Sequence, residues 1–343
     1  MNILKDYIIF LNNNSFKPCF IFYIKMVNHK CSIIANPDGE AWEYAQRIYD
    51  ELSKRDDRFE LNKAIIKRFR DGEIKPKIEK NIRERKCFFI HDSNLPPAEW
   101  FLQLCLVNEA LANSSAYKIV DVLPYLKFSR QDRTDESRVS ISAKVIADAI
   151  GVYADRVLTI DVHNPAIQGF YNIPFNSLYS FPTVAMHLRT QHPEILENLV
   201  PMSPDEGGIK RTLSFGKFLG LETMAAGYKV RKLEGEVERL EILGDVNGKK
   251  VILVDDMIDS GGTLIKAAQK AREKGATEVY AYATHGLFTE GTEKVTRCFN
   301  RLFVGDTRKQ PSGIDAEIIP FSQLMAEAIY RTSIGESLSE LFK

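Results

Sequence analysis

Two adjacent aspartates followed by a glycine-rich loop make residues 251–263 the segment best suited to chemistry. Four apolar residues predict a buried strand, which places Asp255 and Asp256 at its carboxyl end. In open α/β sheets ligands bind at that edge, and carboxylates accept strong hydrogen bonds from ribose hydroxyls. The sequence Asp-Ser-Gly-Gly-Thr at 259–263 then opens a predicted helix, where backbone N–H groups can surround a phosphate.

This loop matches neither of two common nucleotide-binding motifs. It lacks the Gly-Lys-Ser/Thr of a Walker loop and the G-x-G-x-x-G fingerprint of dinucleotide-binding folds. Glycines are useful at such a site because a side chain would hold the phosphate away from the backbone amides. An ordinary capped helix after a buried strand is the alternative, but it leaves two costly aspartates without a use.

Elements that could position this loop recur along the chain. From Cys31 onward, short apolar runs alternate with segments of helical period, which is typical of a parallel sheet covered by helices. Predicted strands occupy residues 87–90, 117–123, 156–162, 251–256 and 278–284, and predicted helices occupy 41–54, 98–112, 140–150, 264–274 and 322–330. The order strand, polar loop, helix, strand occurs once in each half, which suggests two similar α/β domains.

Composition excludes several classes of protein. The 343 residues carry 46 Lys and Arg against 46 Asp and Glu, so no net charge attracts the chain to nucleic acid. Five Cys residues without C-x-x-C spacing predict reduced thiols and a cytoplasmic location, and not a disulfide framework or a zinc site. No apolar run reaches the ~20 residues of a membrane-spanning helix, so we expect no membrane partner.

Several motifs occur in an order that resembles a known family. They are Phe69-Arg-Asp71-Gly72-Glu73, Arg130-Gln131-Asp132-Arg133, Asp161-Val-His163 with Gln168-Gly169-Phe170, Ser203-Pro204-Asp205, the acidic pair and loop at 255–263, and Thr284-His285-Gly286. Together they resemble ribose-phosphate diphosphokinases, also called phosphoribosyl diphosphate (PRPP) synthetases. Type I phosphoribosyltransferases resemble the chain only at 255–263, called here the PRPP loop, and are the weaker alternative.

The resemblance implies a transferase that moves the diphosphoryl group of ATP to the C1 hydroxyl of ribose 5-phosphate, giving PRPP and AMP for nucleotide biosynthesis. The implied fold class is α/β, with two phosphoribosyltransferase-type domains, each a mostly parallel sheet flanked by helices. We expect an extension at 1–26, for which a targeting peptide is the alternative. We expect the first domain at 27–180 and the second at 181–343, with the last helix packing on the first domain.

The resemblance also assigns functional residues by position. ATP would be bound by Phe69, Asp71, Gly72, Glu73, Arg130 and Gln131, and ribose 5-phosphate by Arg231, Asp255, Asp256, Asp259, Ser260, Gly261, Gly262 and Thr263. Lys229 and Arg231 match the catalytic cations, and His163 and Asp205 match positions associated with Mg²⁺, the implied cofactor. Because Mg²⁺ prefers oxygen ligands, His163 would act through water or by holding ATP. A homo-oligomer of at least two chains is implied, since the ATP element is completed across subunits.

The chain departs from the family pattern at several positions. Asn172 and Asn176 replace acidic residues, which removes two charges from any second cation site. Residues 94–104 and 302–308 differ in regions that build subunit contacts and a phosphate or ADP regulatory site in the family. We therefore expect catalysis to be retained, and phosphate activation and ADP inhibition to be altered or absent. A catalytically silent homologue that regulates an active partner is the alternative.

Overall fold

Two seven-stranded sheets form the fold within residues 29–230 and 239–342, the part of the chain that the computed structural model describes. The strands of the first sheet are β1 (Cys31–Ala35), β2 (Phe59–Arg68), β3 (Ile74–Ile78), β4 (Lys86–Ile90), β5 (Lys118–Leu123), β6 (Arg156–Ile160) and β7 (Phe175–Leu178). Its helices are α1 (Trp42–Ser53), α2 (Pro97–Asn113) and α3 (Ser142–Ile150), and a 3₁₀ turn spans Pro165–Phe170.

The second half repeats this arrangement. Its helices are α4 (Phe181–Gln191), α5 (Pro193–Leu196), α6 (Ile209–Leu219), α7 (Gly262–Glu273), α8 (Glu293–Thr296) and α9 (Ser322–Ile334), with a 3₁₀ turn at Ser339–Phe342. Its strands are β8 (Leu199–Ser203), β9 (Ala225–Val230), β10 (Arg239–Leu243), β11 (Lys250–Ile258), β12 (Glu278–Gly286), β13 (Arg301–Gly305) and β14 (Glu317–Ile319).

Both sheets have the same strand order. It is β3-β2-β1-β4-β5-β6-β7 in the first sheet and β10-β9-β8-β11-β12-β13-β14 in the second. In each, the two strands at one edge form an antiparallel pair, and the other neighbours are parallel. This confirms the predicted α/β class with two mostly parallel sheets. The chain changes direction across the sheet between β1 and β4 and between β8 and β11, where open α/β sheets bind ligands.

Strand β11 shows how the sequence dictates these elements. Residues 251–254 are fully buried, as expected for a parallel strand covered by helices on both faces. Helix α7 covers it with small and apolar residues at helical spacing: Leu264, Ala267, Ala268 and Ala271. The strand continues two residues beyond its predicted end, because Met257 and Ile258 pair with His285 and Gly286 of β12. Asp255 and Asp256 therefore lie within the strand and not after it.

The two halves share one apolar core. It contains residues from both sheets and from α4, where Phe181 packs edge-on against Phe215 with ring centroids 5.4 Å apart. Helix α9 returns to the first half and packs near α1 and β4, where Lys86 Nζ donates to the Ser333 carbonyl oxygen at 2.6 Å. Within the described residues, no helix combines the length and apolarity that a membrane span requires.

Candidate active site

An open cleft of about 1410 Å³ lies between the two halves and contains many of the predicted site residues. Arg130, Gln131 and His163 line it from the first half, and Asp205, Asp255 and Asp256 line it from the second. His163 follows β6, Asp205 follows β8, and the acidic pair lies near the end of β11. The carboxyl ends of strands from both sheets therefore meet at this cleft.

The acidic pair is held by two basic side chains. Arg211, in the first turn of α6, places Nη1 3.2 Å from Asp255 Oδ1 and 3.0 Å from Asp256 Oδ1. His163 Nδ1 lies 2.7 Å from Asp256 Oδ2, and Arg211 Nη2 donates to the His163 carbonyl oxygen at 3.2 Å. Arg211 therefore ties α6, β11 and the segment after β6 into one polar network.

This network gives the two aspartates opposite pKa shifts. Burial would raise the pKa of Asp256, but the His163 hydrogen bond and the Arg211 charge outweigh it and hold that pKa below its ordinary value. Burial, and then repulsion by the Asp256 carboxylate, raise the pKa of Asp255. Both aspartates line the cleft, and Asp255, whose side chain is 22% exposed against 3% for Asp256, is the more accessible partner.

The PRPP loop is shaped by one glycine and closed by one ion pair. Gly261 has φ = +78°, and a Cβ at this position would lie 2.4 Å from Val295 Cγ2, so only glycine fits there. Arg130 Nη1 lies 2.5 Å from Asp259 Oδ2, and Thr289 donates to Asp259 Oδ1. Hydrogen bonding by Thr289, and next by Arg130, lowers the pKa of Asp259. Arg130 therefore joins the first half to the loop of the second.

A second buried network fixes the backbone that precedes His163. Asp161 accepts hydrogen bonds from Ser180 N at 3.2 Å and from Thr284 Oγ1 at 2.6 Å. Burial raises the pKa of Asp161. Its φ is +39°, a conformation that residues other than glycine rarely adopt and that is common at functional sites. The motif at 161–163 and the motif at 284–286 therefore support each other.

The predicted ATP element lies away from this cleft. Residues 69–73 form the tight turn between β2 and β3, in which Phe69 N donates to the Glu73 carbonyl oxygen at 2.8 Å. Gly72 has φ = +96°, and Glu73 N donates to Asp71 Oδ1 at 3.1 Å. Phe69 is 53% exposed, although its ring is large and apolar. Within this chain, the turn does not line the cleft that holds Arg130 and Gln131.

The predicted metal residues both line the cleft. His163 is engaged through Nδ1 with Asp256, and Asp205 Oδ1 accepts from Gly208 N at 3.2 Å. Asn176 also lines the cleft, where its Oδ1 accepts from Arg156 Nη1 at 2.5 Å. Among the catalytic cations, the backbone of Lys229 in β9 pairs with Leu240 in β10, and Arg231 lies outside the described residues.

A different trio brings potential metal-ligand atoms within 4.8 Å of one another. His187, His192 and Glu317 form it, far along the chain from the predicted metal positions. Arg301 Nη1 lies 3.1 Å from Glu317 Oε2 and 3.0 Å from the ring nitrogens of His192. The Arg301 guanidinium therefore already balances the negative charge of Glu317 in this trio.

Known proteins are similar to the chain over most of its length. A family model described as the N-terminal domain of ribose phosphate pyrophosphokinase matches residues 39–153, and one described as a phosphoribosyl synthetase-associated domain matches residues 224–343. The ribose-phosphate pyrophosphokinase of Chlorobaculum tepidum is 40% identical over 284 residues, which cover 81% of this chain and 87% of that protein. The chain belongs to the ribose-phosphate pyrophosphokinase family.

Other pyrophosphokinases agree with this assignment. The Vibrio vulnificus ribose-phosphate pyrophosphokinase is 38% identical over 308 residues, which cover 88% of this chain and 96% of that protein. The crystal structure of phosphoribosylpyrophosphate synthetase from Mycobacterium smegmatis superposes with a TM-score of 0.79 at 26% identity, covering 88% of this chain and 99% of that one. The pyrophosphokinase fold thus extends through both halves of the chain.

Sequence reasoning missed Arg211, the residue that joins most of the site together. It lies eight residues after Ser203, in a helix whose polar face gives no sign of which cation turns inward. One signal could have found it: two adjacent buried carboxylates require a nearby cation, and 210–211 is a basic pair that follows a strand of the same sheet.

Proposed function

We propose that this chain transfers the diphosphoryl group of ATP to the C1 hydroxyl of ribose 5-phosphate, giving PRPP and AMP. The observation that carries the proposal is the acidic pair at 255–256, held by Arg211 and His163 and facing Arg130 across the cleft. Acidic side chains suited to ribose hydroxyls and cationic side chains suited to phosphates therefore line the same cleft. Such chemistry depends mainly on positioning and on neutralising charge.

Ribose 5-phosphate is proposed to bind at the carboxyl end of β11. Asp255 faces the cleft and would accept hydrogen bonds from the ribose hydroxyls. The loop 259–263 would bind the 5-phosphate, since helix α7 begins at Gly262 and the residue before it, Gly261, has no side chain to cap the helix. Gly262 N donates only a long hydrogen bond, of 3.5 Å, to Ser260 Oγ. The hydroxyls of Ser260 and Thr263 would add donors to the same phosphate.

ATP is proposed to bind with its phosphates against Arg130 and Gln131. Arg130 is paired with Asp259 through Nη1, and two oxygens of a phosphate could accept hydrogen bonds from the guanidinium side by side. Because the turn at 69–73 lies outside the cleft, we propose that a second copy of the chain supplies Phe69, Asp71, Gly72 and Glu73. The exposed Phe69 ring supports this proposal, since stacking on adenine would cover it.

In the proposed transfer, the C1 hydroxyl oxygen of the pentose forms a bond to the β-phosphorus of ATP and releases its proton to solvent. The bond from that phosphorus to the oxygen of the α-phosphate breaks, and AMP leaves. Lys229 and Arg231 are proposed to stabilise the negative charge that builds on the phosphate oxygens. His163, held through Nδ1 by Asp256, would present Nε2 to the ATP phosphates.

The residues present in the cleft fit Mg²⁺. This ion is usually held by one or two carboxylates together with substrate phosphates and several waters. Asp205 lines the cleft, and among residues 29–230 and 239–342 its carboxylate accepts one hydrogen bond, from Gly208 N to Oδ1. Bound there, Mg²⁺ would neutralise charge on the phosphates of ATP. We also propose a cytoplasmic location, which the free cysteines Cys31, Cys87, Cys105 and Cys298 support.

One incubation tests the function. The chain is mixed with ribose 5-phosphate, ATP and Mg²⁺, and AMP is measured; we expect AMP only when the pentose is present. Asp255→Asn should lower the rate at least ~10-fold, because an amide is a weaker acceptor for ribose hydroxyls than a carboxylate. Asp245→Asn, at an exposed acid outside the cleft, is the matched control. Absence of pentose-dependent AMP would overturn the proposal.

A further inference from the structure

Two histidines and one glutamate meet near the end of α4 that lies farther from the active cleft. His187 Nε2 lies 2.6 Å from Glu317 Oε1, and His192 Nε2 lies 2.9 Å from each oxygen of the same carboxylate. Helix α4 begins at Phe181, which lines the cleft, and His187 lies about 9 Å further along the helix axis. Neither histidine nor Glu317 lines the cleft, so the proposed function leaves this trio unused.

Both imidazole rings are held in place by their surroundings. They pack against the fully buried ring of Phe303 in β13, with centroid distances of 6.4 Å for His187 and 5.5 Å for His192. The two side chains are only 19% and 11% exposed. The backbone N–H of His192 donates to the Leu188 carbonyl oxygen at 2.9 Å, which attaches this residue to the end of α4. Side chains fixed on helices and strands hold a metal ion more precisely than side chains on loops.

The spacing of the trio suits a zinc ion. Zn²⁺ binds imidazole nitrogen and carboxylate oxygen at about 2.0–2.2 Å in a tetrahedral arrangement, which sets its ligand atoms about 3.4 Å apart. One ligand atom from each member of the trio lies within 4.8 Å of the other two. The contacts of 2.6 and 2.9 Å to Glu317 would therefore lengthen by less than about 1 Å to admit the ion. Mg²⁺ prefers oxygen ligands, so it suits a site with two imidazoles poorly.

A second carboxylate is placed to orient His192. A histidine that binds a metal almost always donates its other ring N–H to a carboxylate, a carbonyl or water, which fixes the ring and makes the ligand more basic. His192 Nδ1 lies 3.5 Å from Glu194 Oε1, and the Glu194 side chain is 61% exposed, so it can move closer. With Nε2 on an ion, the proton of the neutral ring is on Nδ1 and points to this carboxylate. The cluster thus supplies both ligands and an outer partner.

Arg301 contacts the same atoms that an ion would use. Its Nη1 lies 3.0 Å from both ring nitrogens of His192 and 3.1 Å from Glu317 Oε2. The Arg301 side chain is 44% exposed, so it can turn into solvent, and a partly exposed ion pair contributes little to stability. Arg301 and a metal ion therefore compete for the trio, and the competition favours an ion that binds imidazole strongly.

We propose that His187, His192 and Glu317 bind one Zn²⁺, which takes the place of the Arg301 guanidinium. The ligands are Nε2 of each histidine and one oxygen of Glu317, with a water in the fourth position. Glu194 accepts the Nδ1–H of His192. The ion joins the end of α4 to the edge strand β14 and so stabilises the second sheet at that edge. Because the trio lies outside the active cleft, this site does not depend on the proposed function.

Titration of the full chain with Zn²⁺ against a chromogenic chelator, with Mg²⁺ in excess, tests the site. His187→Gln should weaken one zinc site at least ~10-fold, since even the loss of an outer partner of a ligand costs about 10–100-fold. His29→Gln, at a histidine whose ring nitrogen contacts the Glu84 carbonyl oxygen, is the matched control and should change nothing. Asp205→Asn, in the active cleft, should also leave zinc affinity unchanged. Native affinity in His187→Gln would overturn the proposal.

Co²⁺ in place of Zn²⁺ identifies the kind of ligand. We expect the d–d bands of tetrahedral cobalt without thiolate charge-transfer bands, and we expect His187→Gln to lose them. Thiolate bands that persist in His187→Gln would place the ion on cysteine and overturn the proposal. Glu317→Gln keeps the size of the side chain and should also weaken zinc binding, which provides the test if His187→Gln fails to fold.

Arg301→Gln separates competition from a structural role of the arginine. If Arg301 competes with the ion, its loss should tighten zinc binding by up to ~10-fold, the most that a partly exposed ion pair opposes. Zn²⁺ should raise Tm in the native chain and in Arg301→Gln, because it binds the folded chain, and should not raise Tm in His187→Gln. Weaker zinc binding by Arg301→Gln than by the native chain would contradict the proposed exchange.

Discussion

Replacing Arg211 by methionine should destabilise the second half of the chain by leaving a buried charge without its partner. Arg211 Nη1 lies 3.0 Å from Asp256 Oδ1, and the Asp256 side chain is 3% exposed. Solvent cannot replace the guanidinium there. Burial would then raise the pKa of Asp256, opposed by His163 and Asp255 but no longer by the Arg211 charge, so the carboxylate would be less stable in the folded chain.

The expected loss in the free energy of unfolding follows from the burial of the ion pair between Arg211 and Asp256. Removing one partner of a buried ion pair costs about 3–5 kcal/mol. Arg211 is 19% exposed and His163 remains, so we expect the lower end, about 3 kcal/mol. For a domain of 150–250 residues this lowers Tm by about 6–12 °C. Arg297→Met, at a guanidinium that is 77% exposed, should cost less than about 1 kcal/mol.

A double-mutant cycle with Asp256→Asn checks the cause. The double variant has no buried charge at this position, so it should be more stable than Arg211→Met alone. We expect a coupling energy of at least about 1 kcal/mol, measured by urea unfolding and calorimetry. Strictly additive losses, or a cost below about 1 kcal/mol for Arg211→Met, would refute the argument that Arg211 stabilises the chain through this carboxylate.

Gly261→Ala should lower Tm, because φ is +78° and the new Cβ would lie 2.4 Å from a Val295 methyl group. Gly262→Ala is the control, since nothing lies nearer than 3.8 Å to a Cβ at that position. Equal Tm values for the two variants would contradict the strain at Gly261. Lys229→Ala should lower kcat by orders of magnitude with little change in KM, and near-native steady-state kinetics would remove it from the catalytic set. The free energy of unfolding should fall as pH drops from 6.5 to 4. Burial lowers the pKa of His91 and His285 to about 4 in the folded chain, so the unfolded chain binds more protons in that range. His91→Gln should flatten this slope in urea titrations at several pH values, whereas an unchanged slope would show that burial of His91 does not cause it.

The sequence predicted the elements whose burial leaves a simple pattern. Strand β11 is a run of apolar residues because helices cover both faces, and α7 shows helical spacing because it buries one face. The resemblance in motif order assigned the acidic pair and His163 to one reaction, and the structure brings them into one cleft. The roles of these residues in binding and catalysis stay predictions.

Other features depend on pairing that a linear pattern does not contain. Strand β2 mixes charged and apolar residues and lies next to the edge strand β3, so its sequence resembles a surface segment. The extension of β11 through Ile258 depends on the length of β12, its neighbour. Arg130 and Asp259 are 129 positions apart, and only the packing of the two halves shows that they meet.

The ion pair between Arg130 and Asp259 competes with any anion that binds to Arg130. A carboxylate occupies the guanidinium that we propose for ATP, so any anion that enters must displace it first. Both side chains are partly exposed, and a pair of that kind contributes at most about 1 kcal/mol, so the competition weakens binding by less than about tenfold. A triphosphate carries several charges and can readily offset this free energy, whereas a chloride ion carries one charge and offsets it less easily. The pair would thus act as a filter that favours multivalent anions over the salt of the cell.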